Sequence, residues 1–323
     1  MCTAITLQTK DFYFGRTLDL EYHYEESIVV TPRQFPLRFR RADSPGRHCA
    51  VIGVATVIDG YPLYYDAANE HGLCMAGLNF PGNAVYHPYR EEKENIAPFE
   101  LIPWILGSCR TAEEAVGRLA QVSLLDEAFR ADMPLTPLHW MIADHSRCIV
   151  VEPMAGGLVI HDNPVGVLTN NPPFEHQLHD LNRYMQLSPY PPRNSFADGL
   201  ELTVYSRGMG ALGLPGDLSS QSRFVRAAFT RCNSICGSSE EESVSQFFHV
   251  LGSVEQTRGC VRLESGSVTT VYTSCCNADR GIYYYTTYDN RSITGVDMHR
   301  EHLDSAKLAV YPLEYKGRVN IIN

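Results

Sequence analysis

The chain has 323 residues, with 27 Lys+Arg against 37 Asp+Glu and a formal charge of −10, which argues against a nucleic-acid partner or a polybasic membrane surface. Apolar residues make up 44% and charged residues 20%, a globular balance that excludes disorder as the general state. No stretch approaches the roughly 20 apolar residues of a membrane span, and the opening MCTAITLQTKDFYFGR lacks the basic flank and apolar run of a signal peptide, so a cytoplasmic location without membrane insertion is expected.

Along the chain, Ala4-Ile5-Thr6-Leu7 and Phe12-Tyr13-Phe14 flank Gln8-Thr9-Lys10-Asp11. Two β-rich runs about a turn read as a hairpin, with its first strand starting at residue 2. Further strands are expected at Ser27 to Thr31, His48 to Ile58, Gly72 to Leu78, His139 to Ala143, Cys148 to Glu152 and Gly157 to His161, and in a Thr/Tyr/Val series from Ser267 to Thr287. Helices are fewer. Thr111-Ala-Glu-Glu114 and Ser239-x-x-Glu242 have capping-box spacing ahead of apolar residues at helical intervals, and Ser222 to Arg231 carries an apolar face.

Residues 186 to about 222 are rich in Pro, Gly and Ser and read as one extended loop. Apolar segments continue on both sides at the same density, so the loop is an excursion from a single domain over residues 2–323. Runs of strands separated by helical pairs do not alternate as βαβ units would. The expected class is therefore α+β, mostly antiparallel.

Ten cysteines in a long chain without an export signal read as reduced, mostly buried, small hydrophobes. Metal-ligand spacing is poor: Cys232 and Cys236 form a lone CxxxC, and His176 and His179 have no second pair nearby. Gly208-Met-Gly210-Ala-Leu-Gly213 fits GxGxxG but runs into Leu-Pro-Gly, where no helix follows to receive a pyrophosphate. Asn290-Arg-Ser292 is a sequon that carries no weight without export.

Cys2 is the most informative residue. Removal of the initiator Met would leave a thiol and a free α-amine on one residue, so a nucleophile and its base would arrive together. Phe14-Gly15-Arg16-Thr17-Leu18-Asp19 closes the second hairpin strand and can bring Arg16 and Asp19 alongside residue 2. An arginine near the sulfur favours thiolate, and a carboxylate orients the ammonium formed by proton transfer. Taken alone, each would read as a surface charge on a strand end.

MCTAITL, YFGRTLDL, GLNFPG, LTNNP and LPGDLSSQSRFVR, in that order, together resemble the choloylglycine hydrolase family of N-terminal nucleophile hydrolases, which includes bile salt hydrolases and penicillin V acylases. The resemblance runs essentially from residue 2 to residue 323. It implies a four-layer αββα sandwich of two mainly antiparallel sheets, with no metal and no cofactor. It also implies that Cys2 is the nucleophile, that Arg16 and Asp19 are its charge partners, that Asn79 and Asn170 surround the oxyanion, and that Arg223 completes the charged cluster.

Without the motifs, each Asn reads as a turn residue near Pro, and Arg223 as an exposed helix charge. Asn at position 79 resembles the bile salt hydrolases, where penicillin V acylases tend to carry Tyr. Residues 61–69 look like a family active-site loop, as does Met133 to His139. Leu18, Tyr65 and Leu135 are candidates for holding a steroid body, although core packing is an equal reading for Leu18 and Leu135. Ser206-Arg207 resembles the pair associated with taurine conjugates, which points Arg207 at a sulfonate. The expected substrates are conjugated bile salts such as taurocholate and glycocholate, with penicillin V or another N-acyl amide as the alternative. Relatives are commonly tetrameric, and the 186–222 loop resembles the segment that reaches between their subunits.

Overall fold

A computed structural model describes residues 1–323. The amino-terminal hairpin forms as expected and is longer than the apolar runs alone suggest. Strand β1 (Cys2–Gln8) pairs antiparallel with β2 (Phe12–Leu20), placing Cys2 opposite Leu18 and Ala4 opposite Arg16. Both strands are interior members of a six-stranded sheet whose order is Val167–Leu168, β1, β2, Thr269–Asn277, Ile282–Thr287, Thr294–Asp297.

The second sheet has eight strands. It contains β3 (Ser27–Thr31), β4 (Val51–Ile58), β5 (Tyr61–Asn69) and β6 (Cys74–Asn79), flanked by Leu138–Ala143, Cys148–Met154 and Gly157–Asp162 on one side and by Ala309–Pro312 on the other. Every pairing within the two large sheets is antiparallel.

Period-2 alternation builds the layers. Ile28, Val30, Ile52 and Val54 face a cluster between the sheets, which also takes in Ala4 and Leu18 and extends beneath the later helices. Val29, Val51 and Ala55 point the other way, against α1 (Leu101–Ser108) and α2 (Ala112–Leu119), where Trp104, Leu119 and Trp140 join a second core. One outer face remains, that of the six-stranded sheet. After α3 (Phe174–Asp180), α4 (Ser220–Asn233) lies over β1, and α5 (Glu240–Gly252) lies over β1, β2 and Thr269–Asn277. The result is the α+β sandwich of helix, sheet, sheet and helix. It explains why β1 is buried from Cys2 to Leu7 without polar alternation.

Local signals act where expected. Thr111 caps α2 by accepting from the Glu114 N–H, and Ser239 and Glu242 complete a capping box on α5.

Several expectations are corrected. Residues 61–69, expected as a loop, are β5, an inner strand of the larger sheet. Helix α4 begins at Ser220, so the irregular excursion ends at residue 219. Helices α1 and α3 and the strands Val167–Leu168, Thr294–Asp297 and Ala309–Pro312 were not foreseen.

Inside the excursion the three glycines of the GxGxxG pattern have folding reasons. Gly208 and Gly213 adopt positive φ (+82° and +93°), and a Cβ on Gly210 would lie 1.9 Å from the Tyr190 carbonyl oxygen.

Candidate active site

The start of β1 lies deep in the molecule, and five expected residues converge on it. Side chains of β1 and β2 alternate between two environments. Thr3 accepts from Arg223 on α4, so odd positions of β1 face the helices. Arg16 donates to the Tyr65 carbonyl (3.1 Å) and the Gly77 carbonyl, so even positions of β2, and Cys2 opposite Leu18, face the other sheet.

Cys2, Arg16, Asp19 and Arg223 are each at most 3% exposed. The alternative of surface charges is thereby excluded for Arg16, Asp19 and Arg223.

Asn170 is the hub. Its Oδ1 accepts from the Cys2 backbone N–H (2.9 Å) and from Arg223 Nη2 (2.7 Å), and its Nδ2 donates to the Asn79 carbonyl (2.7 Å). Arg223 Nη1 also donates to the Cys2 carbonyl, and Nε to Leu218 O. Asn170 itself is clamped from behind: Ser220, in the first turn of α4, accepts from its N–H (2.8 Å), and Gln177 donates to its carbonyl. The side-chain oxygen of Asn79 is buried and unpartnered. So is Nη2 of Arg16. Orphaned polar atoms beside a buried thiol are groups that a ligand can satisfy.

Electrostatics knit the cluster together. Burial works against the Arg16 cation, yet the neighbouring Cys2, Tyr272, Asp66 and Asp19 outweigh it and raise its pKa. Arg223 is pulled down by burial, against the opposing influence of Asp19 and Cys2. The Asp19 carboxyl is raised by burial, although Arg223, the amino terminus, Thr270 and Arg16 all favour its charged form. Thr270 and Thr17 donate to it at 2.7 and 3.2 Å. The Met1 ammonium donates to the Asp19 carbonyl at 2.6 Å.

Two irregular strand positions shape the site. The β4–β5 register skips Tyr65, and the pairing of Thr269–Asn277 with β2 skips Val271. Each bulge re-aims a neighbour. At the first, Tyr65 packs against the intersheet cluster while its carbonyl accepts from Arg16. The adjacent Asp66, also turned inward, accepts from Tyr272, Tyr283 and Ser274. The second bulge leaves Thr270 opposite Asp19.

Of the candidates for substrate contact, Leu18 lies directly across from Cys2. Leu135 is half-buried in a stretch tied to the site by the bond from Phe80 N–H to the Pro137 carbonyl. Arg207 does not join the cluster. It is exposed in the 185–219 excursion, and its side chain makes no hydrogen bond or ion pair within the chain. Sequence reasoning missed Asp66, Thr270, Gln177 and Ser220. Away from Cys2, Cys49, Glu70 and His71 place one ligand atom each within 4.8 Å of one another, but Glu70 is already engaged by Arg33 and the Ala50 N–H.

Two antiparallel sheets between helices, with buried polar groups gathered at the first strand's start, form the sandwich of the N-terminal nucleophile hydrolases. The family model for linear amide C–N hydrolases, choloylglycine hydrolase family, matches residues 2–311, and the chain belongs to that family.

It is 52% identical over the full length of both chains to a bile salt hydrolase/transferase of Lactiplantibacillus plantarum. It is 38% identical, again end to end, to one of Clostridium perfringens. Among solved structures, a conjugated bile acid hydrolase from Clostridium perfringens superposes with a TM-score of 0.92 at 36% identity, covering all of both chains. Penicillin V acylase from Agrobacterium tumefaciens shares the fold, with a TM-score of 0.74 at 21% identity over 96% of this chain and 90% of that one.

Proposed function

We propose that this enzyme hydrolyses the amide bond of glycine- or taurine-conjugated bile acids, with Cys2 as nucleophile once Met1 is removed. The observation that carries the reading is the hydrogen bond from the residue-2 nitrogen to Asn170 Oδ1, shared with Arg223. With Met1 attached, that nitrogen is a non-basic amide. Without Met1 it is an α-amine in the same seat, a base one residue's reach from the thiol it can deprotonate.

The amine takes the thiol proton, directly or through water, and the thiolate attacks the substrate carbonyl. Arg16 and Arg223 supply the positive field that favours thiolate. Asn170 Oδ1 orients the ammonium, with the Asp19 carboxylate as its counter-charge. Negative charge on the tetrahedral oxygen is met by Asn79, with Asn170 as its support; losing one such donor typically costs about 3–4 kcal/mol of barrier. The ammonium then returns its proton to the departing amine, and glycine or taurine leaves. The same amine activates water to hydrolyse the thioester, freeing the bile acid.

Leu18, Tyr65 and Leu135 offer apolar surface to the steroid, a flat and mostly hydrophobic body. A taurine preference would follow if Arg207, exposed and with only its backbone carbonyl bonded in its own chain, holds the sulfonate from a neighbouring subunit of a homotetramer. Residues 2–323 form one domain in this reading, and ten free thiols suit a reducing cytoplasm.

The test is amino-acid release from taurocholate, glycocholate and penicillin V by the purified protein and its Cys2→Ala variant. The expected result is fast release from taurocholate, slower release from glycocholate, and a loss of roughly 10^4-fold or more in the variant. Turnover of penicillin V alone would move the enzyme to the acylase branch. No turnover of any of the three, by protein whose mass shows a free amino-terminal Cys, would reject the hydrolytic reading.

A further inference from the structure

Behind the two asparagines lies a buried histidine to which the reaction scheme assigns no part. His139 is fully buried and pairs with Leu78 at the end of β6, one residue before Asn79. The ring of Phe80, one residue after Asn79, stacks on the imidazole with centroids 4.2 Å apart and planes within 6°. On its other side, His139 Nε2 lies 2.9 Å from the carbonyl oxygen of Thr169, the residue before Asn170. One ring therefore touches the segments that carry both asparagines.

The hydrogen-bond inventory fixes the ring's protons. A backbone carbonyl only accepts, so Nε2 carries hydrogen. Nδ1 faces Glu152 Oε1 at 3.2 Å, and this oxygen already accepts the Phe174 N–H at 2.9 Å. A second proton must therefore lie on the line between Nδ1 and Oε1. Wherever it sits on that line, the buried pair is neutral as a whole, which avoids an uncompensated charge. His161, on the neighbouring edge strand, places Nε2 3.6 Å from the other Glu152 oxygen. Gln177 reinforces the same turn by donating to the Asn170 and Pro172 carbonyls while accepting from the Thr169 hydroxyl.

We propose that His139, held by Glu152, is a positioning residue for amide cleavage, setting the Asn79 and Asn170 segments at their mutual spacing. The inference rests on the proposed roles of Cys2 and the two asparagines. No hydrogen bond joins His139 or Glu152 to Cys2, and Asn170 stays tied to the Cys2 nitrogen by Arg223, Ser220 and Gln177, so removing either should displace chiefly Asn79 against Asn170 and leave the thiol about as reactive as before.

The test uses His139→Phe, which keeps a stacking ring without the donor, and His139→Gln, which restores an amide donor. Steady-state rates on taurocholate are normalised to Cys2 sites counted by iodoacetamide labelling of the amino-terminal peptide. His139→Phe is expected to lower kcat about 10- to 100-fold, because small misplacements remote from the chemistry carry penalties of that order. KM and the Cys2 labelling rate should stay within about threefold, and His139→Gln should recover part of the loss.

Normalised kcat within about twofold of the parent in both folded variants overturns the inference. So does a parallel fall in kcat and in Cys2 labelling, which would mean general collapse of the site. If neither variant folds, Glu152→Gln decides by the same readouts. Absence of Cys2-dependent release by the parent enzyme sinks the proposed function itself, whereas an active parent with fully active variants sinks only the role of His139.

Discussion

Around Cys2 the chain buries two arginines completely, whereas along residues 185–219 it leaves Arg207 in solvent among exposed Met185, Tyr190, Phe196 and Tyr205. The first region is over-determined. Arg223 alone donates to the Leu218 carbonyl, the Cys2 carbonyl, Thr3 and Asn170. The second is pinned chiefly at its stem, where Ser188 N–H donates to the Gly210 carbonyl and Gly210 packs without room for a side chain. Burying a cation costs several kcal/mol unless carbonyls and counter-charges replace its water. That expense makes sense where atoms must be held still for chemistry. An exposed arginine on an adaptable segment suits recognition of a group that varies.

The contrast can be broken most forcefully at Arg223. Arg223→Met should destabilise the fold by about 3–5 kcal/mol in urea unfolding, because Asp19 is left buried without its main counter-charge. A loss as small as that of a surface substitution would show that the cluster is not held as described.

Asp66 gives a pH signature of intermediate size. Burial raises its carboxyl against the pull of Arg16, Tyr272, Tyr283 and Ser274. The folded state thus binds more protons than the unfolded chain above the ordinary carboxylate range, and this group's contribution to stability falls as pH rises. The destabilisation measured for Asp66→Asn should accordingly be larger near pH 4 than at pH 7. The reverse order would contradict the direction of the shift.

The smallest effect belongs to the excursion. Arg207→Gln should leave unfolding stability within about 0.5 kcal/mol, yet reduce the taurocholate-to-glycocholate rate ratio roughly fivefold or more if it binds the sulfonate. An unchanged ratio would remove Arg207 from recognition, and a sedimentation mass of one chain would remove the tetramer.

Much of this division was readable in the residues. The hairpin from Cys2, the capping signals at Thr111 and Ser239, and the Pro-rich character of the excursion are local features whose causes lie within a few residues. Strand β5 was not legible, because the bulge at Tyr65 turns that residue and Asp66 to the same face and spoils the alternation that marks a strand. Helix α1, Leu-Ile-Pro-Trp-Ile-Leu-Gly-Ser, is buried almost all round and lacks both a polar stripe and a side-chain cap. Its Pro103 sits in the first turn, where the missing N–H has no intrahelical partner to lose. In the site, Cys2, Arg16, Asp19, Asn79, Asn170 and Arg223 were legible through short motifs. Thr270 and Glu152 belong to no motif and take their meaning from partners distant in the chain, Gln177 lies just past the LTNNP motif whose residues it binds, and His139 closes the stretch from Met133 without a local sign of its contact with Thr169.

The bond from Thr270 to Asp19 spans 251 residues, and it bears on the order of events during synthesis. At about 5–20 residues per second, the amino terminus is clear of the ribosome long before the strand Thr269–Asn277 exists to lie against β2. Met1 can be excised while residue 2 is still open to an aminopeptidase. The bond from Thr270 to Asp19 and the pairing that covers the far edge of β2 form only when the last fifth of the chain arrives. A product truncated before that strand would leave β2 without its outer neighbour and Asp19 without its Thr270 donor, so the charged cluster is completed only near the end of synthesis.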